Sequence, residues 1–529
     1  MASGLEASGL EARSWRMIIM IKKFALLLLI LAVLASCGRS RENGQEPSPP
    51  GYPEEPPPTI CTSGENGEGC ETEGPSLYIP AYNEYRVILE IDPATRMVDG
   101  ISSITFTNRT GVELETIVFR VYLNAFQEGF YPQPFFNEFR HRVFRGVQSY
   151  GYMNVHYAHL GNEELAFELD GTVLTLVLPE PLLPDVTIEL HLQYDAYIPM
   201  IAHRIGGNDN ALWFGMFLPV LAVHGENGWH TDDFHPAGAP FILEAANYSV
   251  EITTPIRYVV VGTGQRSEWT IEDTDTRNTN FEAHTARDFA FVISPYFNHA
   301  HAVTESGIDI HLYYYTDGLE IDHILEHARL SMEHFEYHVG RYPYGHITIV
   351  EADTMLDGAA FSQIVFVDTR RLLDGDLWAL SHGIGVQWFA SIVGTNRISE
   401  PWLTNGLIHF AQAGIFYPTP EELRTRMERE HGRIASRTDL FLSDSLDAFA
   451  THNHYSNTHR RKAKLMFYAL YQRMGTEAFW GLLNQYYHLF SFGIATSEDF
   501  IRLAEEAYGD CLFLFFDEWI RAGDVPDLP

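Results

Sequence analysis

From Tyr82 to about Phe297, apolar and polar residues alternate with a period of two, in runs broken by turn residues. Tyr85, Val87, Leu89 and Ile91 make one face of the first run; Arg86, Ile88 and Glu90 make the other, with Ile88 rendering that second face partly apolar. Runs at 101–107, 116–123, 173–178, 187–194, 248–253 and 258–261 repeat the signal and predict an all-β domain. After Gly318 the period changes. Ile321, Ile324, Leu325, Ala328, Met332 and Phe335 fall on one helical face, and Gly340 followed by Pro343 supplies a stop. One more strand-like run, 347–351, precedes helices predicted at 377–393, 403–414, 461–474, 476–489 and 497–508. The fold class expected is α+β, with a β domain over 77–300 and a mainly helical domain over 301–529.

The start of the chain follows neither pattern. Residues 1–16 repeat Ala-Ser-Gly-Leu-Glu, which suggests a true start at Met17 or Met20. Lys22 and Lys23 then precede an apolar run from Phe24 to Leu34 and the sequence Leu34-Ala35-Ser36-Cys37. A basic start, a short hydrophobic stretch and small residues at a cleavage point describe a secretory signal peptide, so residues 1–37 read as an upstream extension plus signal. The uncharged run is shorter than the ~20 residues a bilayer-spanning helix needs. Residues 38–76, rich in Pro, Gly, Glu and Ser, read as a flexible tether. Within it, Cys61 and Cys70 either close a small disulfide loop in an oxidising compartment or stay as two free thiols. Cys511, in an apolar C-terminal stretch, is expected to be buried.

Charge narrows the list of partners. Thirty-five basic residues against seventy acidic ones give a net charge of -35, a surface that repels phosphate backbones, so nucleic acid is excluded as an expected partner. Leu34-Ala35-Ser36-Cys37 resembles the lipobox of bacterial lipoproteins, whose Cys becomes the lipid-bearing N-terminus. The resemblance makes Cys37 the expected lipidation site and places the protein on a membrane, facing outward at the cell surface or in the periplasm.

The informative stretch is His382-Gly383-Ile384-Gly385-Val386-Gln387-Trp388-Phe389, followed by Trp402-Leu403-Thr404-Asn405-Gly406. It resembles the core of the membrane alanyl aminopeptidase family, the gluzincin metallopeptidases that include leukotriene hydrolase. Members read His-Glu-x-x-His-Gln-Trp-Phe and then Trp-Leu-x-Glu-Gly. Two His at i and i+4 share a helix face and reach one Zn²⁺, a Glu on a second helix completes the ligands, and the Glu after the first His activates the bound water. Here the ligand positions are His382, Val386 and Asn405, and the general-base position is Gly383. Asp357-Gly358-Ala359-Ala360-Phe361 resembles the segment whose Glu binds the substrate's amino group; Ala360 occupies that position. Arg460-Arg461-Lys462-Ala463 resembles Tyr-x-Lys-Gly, with Arg460 in place of the oxyanion-stabilising Tyr; Tyr455 lies five residues out of that register.

The resemblance covers roughly 82–529 and implies a saddle-like β domain packed on a thermolysin-like domain with a cleft between them. It also implies zinc wherever the family's activity is retained. The replaced residues point the other way: no cofactor, no metal and no functional catalytic residue are expected, and the chain reads as a pseudopeptidase that binds peptides or another cell-surface protein. The alternative is a metal-dependent peptide hydrolase with a rebuilt site. His230, Asp232, Asp233 and His235 are the cluster such a site would use, although the same residues suit a turn-rich loop. His452, His454 and His459, beside Arg460 and Arg461, either put positive charge near the vacant site or, the favoured reading, form a solvated loop leading into a helix.

Overall fold

The computed structural model describes residues 82–271, 274–354 and 358–529. Cys37, Cys61, Cys70, the signal segment and the tether lie outside the described residues. From Ile79 to Pro529 the chain forms one compact unit. Among the described residues no helix is long and apolar enough to cross a membrane.

The period-two segments form sheets. Asn83–Asp92 pairs antiparallel with Met97–Thr107 and parallel with Ala246–Pro255, at the centre of an eight-stranded sheet. Burial alternates residue by residue along Asn83–Asp92, because successive side chains point to opposite faces. Tyr85, Val87, Leu89 and Ile91 are buried, while Ile88 stays 37% exposed despite being apolar. Two four-stranded sheets complete this N-terminal region. One runs through Val259–Gly262, Ala290–Ser294, Leu212–Gly215 and Ile205–Gly207, the other through Val220–Leu221, Leu114–Arg120, Val173–Leu182 and Phe167–Asp170.

A five-stranded mixed sheet begins the second region, in the order Asn298–Val303, Asp309–Tyr314, His346–Glu351, Ile364–Val367 and Gly358–Phe361. Its three inner strands are parallel, and Ile364–Val367 is buried on both faces, as a continuous apolar run requires. Of these strands, the sequence pattern singles out His346–Glu351. The connecting helix Ile321–His338 buries Ile324, Leu325, Ala328, Met332 and Phe335 on the face that the sequence predicts.

Helices fill the rest. The helix predicted over 377–393 is α-helical at Trp378–Val386 and changes to a π turn at Gln387–Ile392. Side chains at this junction tie it to its neighbours. Gln387 Oε1 accepts the Gln363 N–H at 2.8 Å, Gln387 Nε2 donates to the Phe361 carbonyl at 2.9 Å, and the Trp388 indole donates to the Gly340 carbonyl at 2.7 Å. Pro401–Ala411 opens with proline, whose missing N–H costs nothing in a first turn. Pro420–Ile434 was not predicted, although Thr419 and Glu422 form a capping box at its start. The C-terminal helix Phe513–Arg521 buries Phe515, Phe516 and Trp519. This corrects the expectation for Cys511, which lies just ahead of that helix on the solvent side and is exposed.

Arg287 joins the two regions. Its guanidinium donates to the Leu243 carbonyl at 2.6 Å in the N-terminal region. In the helical region it donates to the carbonyls of Ser391 at 3.0 Å, Ile392 at 3.0 Å and Gly493 at 2.8 Å. Gly394 packs against this guanidinium so closely that a Cβ there would collide with it.

Candidate functional site

A cavity of about 440 Å³ opens where the two regions meet. Every position that the sequence resemblance singles out lines it: His382, Gly383, Val386, Asn405, Ala360 and Arg460. Helical periodicity explains much of the convergence. His382 and Val386 stand one turn apart on Trp378–Val386, and His409 follows one turn after Asn405 on Pro401–Ala411. Ala360 comes from the edge strand Gly358–Phe361. From the N-terminal region come Arg204, Gly238, Phe241 and Leu243.

Residues 452–462 are not the solvated loop expected. A short helix, His452–Tyr455, runs into a π turn, Ser456–Lys462. In a π turn hydrogen bonds run from i to i+5, so residues five apart share a face. Tyr455 and Arg460 are such a pair: the Arg460 guanidinium lies 5.7 Å over the Tyr455 ring, and both line the cavity. The five-residue offset that seems to remove Tyr455 from the site therefore brings it in. Its phenol oxygen accepts Asn405 Nδ2–H at 3.2 Å. It also lies against Gly238, whose φ of +61° and lack of a Cβ, which would stand 2.6 Å from the phenol oxygen, both require glycine. His452 reaches the cavity too. His454 instead bonds the Asp439 carbonyl at 2.8 Å, His459 is fully buried, and Arg461 pairs with Glu430 at 2.6 Å.

The donors present do not suit zinc. Val386 supplies no lone pair. Asn405 turns its amide nitrogen to the Pro401 carbonyl at 2.7 Å and to Tyr455, leaving a neutral oxygen as its one acceptor. Among the described residues no group of three or more His, Cys, Asp or Glu is arranged to hold a metal ion. Position 383 has no room for a base either, because a Cβ on Gly383 would collide with Val365 Cγ1. A dication would also meet positive charge. Burial, and then the guanidiniums of Arg460 and Arg397, lower His382 to about 3, so its ring stays neutral. His409, whose ring stacks on His382 at 4.6 Å, is likewise pushed well below the usual histidine range, by burial first and then by His382 and Arg460.

The sequence suggests positive charge near the vacant site through the segment 452–461, and the wall carries more of it than that segment supplies. Among the described residues, Arg204, Arg287, Arg371, Arg397, Arg426 and Arg460 all line the cavity, against the carboxylates of Asp288 and Asp376. Burial, with Arg397 and Arg460 adding to it and Tyr455 opposing, lowers Arg204 to about 9. Arg460 was visible as the replacement of a tyrosine. Arg397 lies eight residues ahead of Asn405, and no motif marks it.

The cluster at 230–235 does not form a second centre. The His230 and Asp232 carbonyls accept from Arg120, and the His230 ring stands 3.4 Å from Asp232. His235 Nδ1 accepts the Ala237 N–H at 3.1 Å, an interaction within its own turn. Asp233 is exposed, and none of the four lines the cavity.

No protein-family model and no curated protein matches the sequence. Solved structures do match the fold. The M1 zinc metallopeptidase of Deinococcus radiodurans gives a TM-score of 0.64 at 14% identity, covering 85% of this chain and 95% of that one. Its Glu-to-Ala mutant with a bound Tyr-Ser-Ala substrate gives 0.63 at 14%, covering 85% and 96%. A two-domain M1 zinc metallopeptidase mutant bound to L-tryptophan gives 0.60 at 15%, again covering 85% and 96%. The chain has the fold of the M1 zinc metallopeptidases, a sheet-rich N-terminal domain followed by a helical C-terminal region.

Proposed function

We propose that this protein is a non-catalytic homologue of the M1 metallopeptidases, exported and lipid-anchored through Cys37, whose cleft binds a ligand without cutting it. One observation carries the reading. The positions matching the family's ligands and base converge on one cavity, yet they present one imidazole, a valine, a neutral amide and a glycine. Hydrolysis needs a polarised carbonyl and an activated water, and neither a Lewis acid site nor a base is built here. Val365 makes the change structural, since its side chain occupies the room that a residue at 383 would need.

The complexes of similar fold hold a Tyr-Ser-Ala substrate or a single amino acid. A short peptide, free or as part of another cell-surface protein, is the corresponding occupant here, and 440 Å³ accommodates a few residues. Metal analysis and aminopeptidase assays on the purified protein test the reading. Sub-stoichiometric zinc and no turnover above background are expected, and stoichiometric zinc with zinc-dependent turnover ends the proposal.

A further inference from the structure

Three guanidiniums in the cavity lack the counter-charge that the chain supplies elsewhere. Arg204 enters from the N-terminal region, Arg397 from the segment ahead of Pro401–Ala411, and Arg460 from the π turn. Arg397 and Arg460 each keep a buried Nε with no hydrogen-bond partner. Arg204 donates to the Gly238 carbonyl and lies 5.6 Å over the Phe241 ring, contacts that fix it without neutralising it. Of the two carboxylates that the described residues place in the wall, Asp376 pairs with Arg371. Asp288 accepts the Ser362 N–H at 2.6 Å and stands in the field of both Arg287 and Arg397. Among the described residues, one shared carboxylate therefore faces several cations.

Such an arrangement works against folding, because like charges in a partly dry cavity repel more strongly than in water. The chain as a whole carries a net charge of -35, so its surface does not gather anions by its general field. An oxyanion in the cavity would relieve the repulsion, and the planar fork of arginine matches carboxylate and phosphate geometry.

We propose that the cavity recognises its ligand through an oxyanion, a carboxylate or a phosphate, held by Arg204, Arg397 and Arg460 beside the positions that match the family's zinc ligands. The proposal rests on the reading of the cleft as a binding site that does not cut. The cavity is larger than a lone inorganic ion, so the oxyanion is one end of a bigger molecule such as an acidic peptide.

The test is thermal unfolding and titration calorimetry of the purified full chain with inorganic phosphate or the dipeptide Asp-Glu, against chloride at equal ionic strength. Saturable binding and a rise in Tm of about 2–4 °C are expected. Phosphate also stabilises proteins by exclusion from their surface, so the same titrations are run on Arg397→Met and Arg460→Met. Each variant should show a higher Tm than the parent without added anion, and each should lose the saturable heat. Binding by the dipeptide alone assigns the oxyanion to a peptide carboxylate, and binding by phosphate alone assigns it to a phosphorylated ligand. An absence of saturable heat with both probes overturns the proposal, as does unchanged binding in both variants. Zinc content and turnover are measured separately, so failure here leaves the non-catalytic reading standing, and failure there does not alter the anion result.

Discussion

Two groups of cations meet around the segment 456–464, and the chain treats them in opposite ways. In the first group, Glu430 is 2% exposed and collects Arg426, itself on the cavity wall, at 2.8 Å, Arg433 at 2.8 Å, Arg461 at 2.6 Å and Lys464 at 3.8 Å. In the second, Arg204, Arg397 and Arg460 face the cavity and, among the described residues, have no carboxylate of their own. Arg460 and Arg461 are adjacent in sequence yet belong to different groups. A buried cation that serves the fold alone is normally given its anion by the fold, as Glu430 shows. Cations left without one, on a cavity wall, mark a place where the counter-charge comes from outside.

The most severe way to break this contrast is to remove the internal anion. Glu430→Gln leaves the buried Lys464 and the part-buried Arg426 and Arg461 without their shared anion and is expected to cost about 3 kcal/mol in urea unfolding. A loss below about 1 kcal/mol would mean that the two groups do not differ in how they are compensated.

Acid sharpens the contrast next. His382 on the cavity wall and the buried His459 are both lowered to about 3 in the folded chain, chiefly by burial, against about 6.5 when unfolded. Below about pH 6 the unfolded chain takes up protons that the folded chain refuses. Their contribution is therefore complete above pH ~6.5 and is lost as the pH falls toward 3, at about 1.4 kcal/mol per pH unit for each ring. Unfolding followed from pH 7 to 4 should show this slope, and His459→Gln should reduce it by one ring's share.

Packing beside the cavity gives a smaller effect. Gly383→Ala gains about 1 kcal/mol of helix propensity but drives a Cβ into Val365, so a net loss of about 1–2 kcal/mol is expected. Combined with Val365→Ala, the glycine change should cost nothing further, which a double-mutant cycle would read directly. The smallest shift is a gain. Without added anion, Arg397→Met should stabilise the chain by on the order of 1 kcal/mol by relieving repulsion with Arg204 and Arg460, measured in the same urea series.

Much of the fold was legible because its signals are local. Alternation along Asn83–Asp92 and the apolar face of Ile321–His338 arise from side-chain geometry within one element, and both appear where the pattern places them. The framework of the site was legible for a similar reason: His382, Val386 and Asn405 sit on short helices whose phase the sequence fixes. The strands Ile364–Val367 and Gly358–Phe361 were not, since runs of four residues carry too little period to separate strand from turn. Tyr455 was misplaced because a π turn changes which residues share a face, and counting at α-helical spacing cannot see it. Arg204 was invisible because it reaches the cavity from a distant strand-rich segment, a fact of tertiary structure alone.

Arg287 bears on how any ligand would be received. Because one side chain is bonded to carbonyls from three separate stretches of backbone, opening the jaws of the cleft at that point would strand several buried acceptors at once. If the cleft binds as proposed, this anchoring resists opening at that point, so discrimination would rest chiefly on the shape and charge already in place.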